Sequence, residues 1–359
     1  MIKRNFLIGG IGIPLALVLL VCLFVLPAAA GGKVIRVLNW QGYGSDEAWA
    51  IKKFEKMTGY KIEHDYFTSE EELLTKIRTA PGMYDVVLPN VAYLSVAMKE
   101  GLVEAVDTAK LKNWANLIDK FKNLEAAQKD GRIYGVPRTW GATAMVYNSK
   151  EYPKGLDSMS AFWDPKFKGK IGWWDSYEDS TVLMGIALGE KTPYRPKDLK
   201  AIKAKMMSLM PNVKTLWSSE DEFDKLFANG DITVGIFWSG SASRAKNKMK
   251  LPMEFVVPKE GGIGWIDTWC VVKDAPNREG ALKWIDFMIS PEFFVQWDTT
   301  VGAPAPTNKV TLDKLPQDSF NRRVMGNPEV VKRLVWMETV PEATRKKWNA
   351  VWESVKAAQ

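Results

Sequence analysis

Hydrophobic positions recur along this chain at two spacings, every second residue or every three to four, and the two rhythms alternate almost from end to end. Residues 34–40 (VIRVLNW) are a short apolar run that predicts a strand. Ser45 stands where a helix over 46–57 would take its N-cap, and Gly59 where that helix would stop. Residues 60–67 alternate again. Ser69 and Glu72 form a capping box ahead of LLTKIRTA, Pro81-Gly82 makes a turn, and residues 85–88 (DVVL) predict a buried strand ending at Pro89. The second half repeats the style, with strands at 170–174, 214–217, 232–238 and 265–272. Between them lie helical patterns near 180–188 and 198–209, a capping box from Ser219 to Glu222, and a helix start at Ser241. A helical pattern then runs unbroken from 278 to 297, and one or two closing helices occupy the last thirty residues. This order predicts an α/β fold with a mainly parallel sheet, whose ligands sit at the carboxyl ends of strands.

The first thirty residues have a different pattern. Lys3 and Arg4 precede an apolar stretch over 6–26, whose first half is broken by Gly9, Gly10, Gly12 and Pro14. Ala28-Ala29-Ala30 then supplies the small-x-small pattern of a signal-peptide cleavage site. Cleavage after Ala30 and export to the periplasm are therefore expected. The rival reading is an uncleaved anchor, since about 20 apolar residues can span a bilayer. Cys22 has no lipobox-like context, which argues against a lipid-modified N-terminus. Residues 31–359 are long enough for two domains.

Composition then narrows the chemistry. With 16 Trp against 1 His and 2 Cys, the chain is rich in binding surface and poor in catalytic or metal-ligating side chains. No GxxxxGK[ST], HExxH or CxxC motif occurs, and a Ser-His-Asp triad could use only His64, which lies in phase with Tyr60, Ile62 and Tyr66 on a predicted strand face. Neither cofactor, metal nor catalysis is expected. Cys270 is the single cysteine beyond residue 30, so no internal disulfide can form there, and it reads as buried and inert. The formal charge of +7 is spread among acids rather than clustered, which argues against a nucleic-acid surface.

The tryptophans divide into two groups. Trp49, Trp163, Trp284, Trp297, Trp348 and Trp352 fall within helical patterns and read as packing residues. Trp40, Trp238 and Trp265 sit at strand ends beside Gly, Ser, Gln or Asp, where a side chain can enter a cleft. Trp265-Ile266-Asp267, preceded by KEGGIG, offers a carboxylate flanked by indole. That is half of a box for an organic cation.

Taken in order, the stretches VLNWQGYGSDEAWAIKKFEKMTGYKI, YDVVLPN, YGVPRTWGATAMVYN, LMPNVKTLW, ITVGIFWSGSA, VVPKEGGIGWIDT, EGALKWIDFMISPE and VGAPAPTN resemble the bacterial extracellular solute-binding proteins of ABC transporters, in particular their spermidine/putrescine-binding branch. The resemblance implies a type II-like periplasmic binding protein with two α/β lobes, 31–139 plus 266–313 and 140–265 plus 314–359. Crossing strands would join the lobes, which would close on a ligand between them. It further implies a monomer that hands a small cationic, polyamine-like amine to an ABC permease. Trp40, Tyr43, Trp238, Trp265 and Asp267 match the branch's amine pocket, and Asp179 its second acid. Gln41 and Asn90 are candidates for a neutral or anionic end of the ligand. Departures fall at the far end of the pocket: Asn90 and Ala92 replace serine and tyrosine, Tyr93 comes one place late, Val182 replaces an acid and Ala303 an aromatic residue. A shorter amine, or one with a non-cationic second end, is consistent with that rebuilding. The alternatives are the same transport role for an amino-acid-like zwitterion or aminophosphonate, a secreted enzyme using Glu178, Asp179 or Asp267 as acid or base, and a membrane-tethered sensor.

Overall fold

The computed structural model describes residues 33–358, so the expected signal peptide over 1–30 lies outside the described residues. The first stretch runs β1 (Val34–Asn39), α1 (Ala48–Thr58), β2 (Lys61–Tyr66), α2 (Glu70–Thr79), β3 (Val86–Val87), α3 (Val91–Lys99) and β4 (Val103–Glu104). Strand β1 lies parallel to both β2 and β3, and its inward residues Ile35, Val37 and Leu38 are fully buried. After α4 (Asp119–Lys122) and a small hairpin of β5 (Gln128–Lys129) and β6 (Arg132–Ile133) comes the long strand β7 (Val136–Asn148). A second parallel group follows. It comprises β8 (Ile171–Trp174), α5 (Tyr177–Ala187), α6 (Leu199–Leu209), β9 (Val213–Trp217), α7 (Glu220–Ala228), β10 (Val234–Trp238) and α8 (Ser239–Asn247), with β8 parallel to β9 and β10. The chain then passes through β11 (Met253–Val256) into β12 (Gly262–Val272). It closes with α9 (Arg278–Met288), α10 (Pro291–Thr300), β13 (Ala305–Pro306), α11 (Lys309–Lys314), α12 (Pro328–Val331), β14 (Leu334–Trp336) and α13 (Glu342–Lys356).

Two long strands tie these groups together. Strand β12 pairs with β14 and β7 over its first two thirds and with β3 and β4 at its end, while β7 pairs with β12 early and with β10 and β11 late. Every residue of β12 is buried, as expected of a strand covered on both faces. The expected lobe boundaries at 139/140 and 265/266 fall inside these two strands. Because β12 runs antiparallel to β3 and β7, and β7 antiparallel to β10, the sheet is mixed at its centre rather than mainly parallel. Strand composition alone does not encode direction; connection geometry does.

Several element boundaries differ from the sequence expectation. Ser45 caps nothing. Helix α1 starts at Ala48 after Glu47, and the Ser45 hydroxyl instead accepts a bond from Asn39 Nδ2 at 2.8 Å and meets His64 Nε2 at 3.1 Å. His64 is thus a half-buried structural residue on β2, and Cys270 is fully buried in β12, where burial pushes its thiol up. The pattern over 278–297 is two helices, because Ser290 caps α10 through the Phe293 amide and Pro291 occupies the first helical position, where its missing N–H costs nothing. Helix α8 starts at Ser239, two residues before the expected Ser241.

The turn after β1 is held by its glycines. Gly44 has φ +84°, and a Cβ there would stand 2.5 Å from Trp297 Cε2. Gly44→Ala should therefore destabilise the protein by about 3 kcal/mol, from backbone strain together with overpacking. Thermal and denaturant unfolding measure this; an unchanged midpoint would show that the turn tolerates a side chain.

Candidate functional site

The carboxyl ends of β1, β8, β9 and β10 and the N-termini of α2, α5 and α7 converge on one cavity of about 500 Å³. Strand ends supply its aromatic walls. Trp40 follows β1, Trp174 ends β8, and Trp238 ends β10. Helix starts supply carboxylates, because acids in a first turn are stabilised by the helix dipole: Glu70 in α2, Glu178 and Asp179 in α5, and Glu220 in α7. All eight residues singled out from sequence line this cavity, namely Trp40, Gln41, Tyr43, Asn90, Asp179, Trp238, Trp265 and Asp267.

Asp267 is placed by an irregularity in the ladder. The pairing of β12 with β7 shifts register between Asp267 and Thr268, and such a bulge re-aims a side chain. The buried carboxylate accepts from the Tyr43 hydroxyl at 2.6 Å and from Asn90 Nδ2 at 3.3 Å, while Asn90 also bridges Asp267 through the backbone. Burial raises the Asp267 carboxyl to about 6 despite the opposing pull of Tyr43, Arg138, Asn90 and Thr139. Trp265 stands beside it. It fits because residue 141 is glycine, where a Cβ would come within 2.3 Å of Trp265 Cζ2.

Asp179 contrasts with Asp267. It is 6% exposed, and among the described residues its carboxylate accepts no hydrogen bond; burial alone lifts it to about 7. Its neighbour Glu178 is lifted to about 7 by burial and by Asp179 and Glu71, against the pull of Arg345 and Tyr93. The Tyr93 hydroxyl lies 2.9 Å from Glu71 Oε1 and 3.3 Å from Glu178 Oε2, and its single proton can serve only one of them at a time. Glu70 accepts from the Asn90 amide at 2.9 Å, while its Oε2 is buried without a partner. Burial and the neighbouring carboxylates Asp267, Glu71 and Glu178 hold it well above the usual range.

The remaining acids are paired. Glu220 takes a bidentate contact from Arg244, at 2.9 and 2.5 Å, and a bond from the Ser241 hydroxyl. Burial works against its ionisation, yet Arg244 and Ser241 hold it below its ordinary value. Asp175 accepts from Trp352 Nε1 at 2.7 Å and lies 3.3 Å from Lys356 Nζ, and Glu71 lies 3.5 Å from Arg345.

Sequence reasoning missed several lining residues. Trp174 ends a predicted strand by the same rule that selected Trp40 and Trp238; its ring packs edge-on against Trp238 at 5.0 Å and tilted against Trp217 at 4.5 Å. Glu71 and Tyr177, whose hydroxyl lies 3.4 Å from Glu71, carried no signal, because the two are 106 residues apart in sequence. The residues at the departures from the branch pattern are now placed. Tyr93 lines the cavity, whereas Val182 and Ala303 are fully buried in the core.

The comparisons agree with this architecture. The profile of the family described as bacterial extracellular solute-binding protein matches residues 49–322. The chain is 31% identical over 313 residues to the spermidine/putrescine-binding periplasmic protein of Escherichia coli, covering 85% of this chain and 87% of that one. It is 26% identical to a putrescine/agmatine-binding protein of Pseudomonas aeruginosa, over 90% and 91% of the two chains. A putative spermidine/putrescine ABC transporter structure from Listeria monocytogenes superposes with a TM-score of 0.79 at 26% identity, covering 91% of this chain and all of that one. The fold is that of a type II-like periplasmic binding protein, and the chain belongs to the bacterial extracellular solute-binding protein family, the solute-capturing component of ABC importers.

Proposed function

We propose that this protein captures a small cationic amine in the periplasm and presents it to a membrane permease without transforming it. The observation that carries the reading is the charge of the cavity wall. Seven of its lining residues are Asp or Glu (Glu70, Glu71, Asp175, Glu178, Asp179, Glu220 and Asp267), and its one cation, Arg244, is already bound to Glu220. An anionic end, such as that of a zwitterion or aminophosphonate, would find no free positive partner among these residues. Trp40, Trp174, Trp238 and Trp265 add indole faces that attract cations and exclude water. The relatives named as spermidine/putrescine-binding and putrescine/agmatine-binding proteins support the same class.

The magnitudes suffice. An ammonium about 4 Å from a carboxylate gains roughly 4 kcal/mol at an effective dielectric near 20. Each well-placed ring adds about 0.5–2 kcal/mol. Micromolar affinity needs only about 8 kcal/mol net of immobilisation and desolvation. In this reading the signal peptide is removed after Ala30, and the two expected lobes, 31–139 plus 266–313 and 140–265 plus 314–359, close as a hinge around the ligand. A ligand touching both favours the closed form by its differential affinity.

A thermal-shift and tryptophan-fluorescence panel of diamines, polyamines, amino acids, quaternary amines, sugars and organic acids tests the proposal. Primary amines should raise the melting temperature and change the emission. The proposal is lost if they do neither while a sugar or an acid does.

The raised carboxyls also set a pH dependence. In the empty protein Asp179 and Glu178 titrate near 7 and Asp267 near 6, all above their ordinary values. A carboxyl raised on folding contributes stability below its unfolded value and loses it as pH rises through its folded one. The empty protein should therefore melt at a lower temperature at pH 8 than at pH 5. Lowered carboxyls such as Glu55 and Glu72 act below that window, and His64, held low by burial, works in the opposite direction. Amine binding requires the ionised acids, so affinity should rise from pH 5.5 to pH 8. Asp179→Asn should flatten both profiles, as melts and titrations at several pH values would show.

A further inference from the structure

Arg138 lies directly behind the Asp267 end of the cavity. It is 1% exposed and forms no salt bridge among the described residues. One of its terminal nitrogens donates to the Tyr43 carbonyl at 2.8 Å, while Nε and Nη1 are buried without a partner. Its guanidinium carbon sits 4.7 Å from the centre of the Trp297 ring and 5.0 Å from that of Tyr43, and Tyr43 in turn donates its hydroxyl to Asp267 at 2.6 Å. A fixed cation thus stands one tyrosine ring away from the buried carboxylate. Burial lowers Arg138 to about 10, which leaves it charged at neutral pH.

The lining carboxylates are therefore not equivalent. Glu220, Asp175 and Glu71 each have their own cation nearby, and Asp267 has Arg138. Glu70 has one oxygen engaged by the Asn90 backbone N–H at 2.9 Å, and burial and neighbouring acids raise it well above its ordinary value. On α5, Glu178 has Arg345 across the Tyr93 ring, whose hydroxyl lies 3.3 Å from it, whereas Asp179, more than nine-tenths buried, has no cation beside it and accepts no hydrogen bond among the described residues. We propose that Arg138 neutralises Asp267 and so makes the cavity asymmetric: the ligand's ammonium seats on Asp179, and Asp267, with Asn90 beside it, receives an uncharged hydrogen-bond donor. The ligand class is then a monocationic amine with a neutral polar second end, such as a hydroxyl or amide. The inference rests on the amine reading and narrows it. Asp267 has room for such a donor, since a carboxylate offers about four acceptor sites and Tyr43, Asn90 and Thr139 fill three.

Two probes of equal length, 4-aminobutan-1-ol and 1,4-diaminobutane, separate the cases by calorimetric titration of the mature chain. The amino alcohol should bind at least as tightly as the diamine. Arg138→Gln frees the Asp267 charge and should move the ratio by about tenfold toward the diamine. Asp179→Asn should weaken both probes by about tenfold or more. A wild-type preference for the diamine of about tenfold or greater, an unmoved ratio in a folded Arg138→Gln protein, or an amino alcohol indifferent to Asp179→Asn each overturns the asymmetry. If Arg138→Gln does not fold, the wild-type ratio and Asp179→Asn decide alone. Failure of the amino alcohol while a diamine binds also overturns the asymmetry and leaves the amine reading standing. Failure of every amine removes that reading and this one with it.

Discussion

A carboxylate out of water must be given partners, and meeting that requirement at Asp267 organises much of the site. The bulge that turns Asp267 inward lies within the pairing of β12 with β7, two residues before that pairing ends, and its oxygens are claimed by Tyr43 from the turn after β1 and by Asn90 from the start of α3. One buried charge thereby fixes the mutual position of three segments distant in sequence. Arg138 adds a fourth, with its guanidinium against the Tyr43 ring and a bond to the Tyr43 carbonyl. Such a cluster is costly to bury and costly to break, because removing any partner strands the others without water.

The α5 end of the cavity follows the opposite logic. Glu178 and Asp179 sit in the first turn of a helix, where the dipole offers some compensation, but Asp179 has no hydrogen-bond donor of its own. Empty, that end holds protons more tightly than an ordinary carboxyl; occupied by a cation, it would release them. Binding and proton release are then one event. The aromatic wall is braced from within, Trp238 edge to face with both Trp174 and Trp217, and Trp174 tilted against Trp217.

The fold was largely legible from the chain. The two periodicities placed β1 to β3, β8 to β10, β12 and most of the helices around them, but not the long central strand β7, nor α3, and the caps at Ser69, Ser219 and Gly59 are seen as expected. Errors arose where a residue's partner was not local. Ser45 has the chemistry of a cap, yet Asn39 and His64 claim its hydroxyl. The pattern over 278–297 keeps its apolar spacing across Ser290-Pro291, so periodicity could not see the break that proline geometry imposes. Trp174 obeyed the strand-end rule and was still indistinguishable from its buried neighbour Trp173, which alternation assigns to the other face.

By itself the sequence determined the α/β class, the scarcity of catalytic side chains and the strand-end residues that line the cavity. These depend on local spacing and on side-chain chemistry, which can be read one segment at a time. Only the tertiary structure decided which strands run antiparallel at the centre, which carboxylates gain a cation and which stay bare, and that Arg138 stands behind Tyr43. Charge compensation acts through space between residues far apart along the chain, and no local pattern carries it.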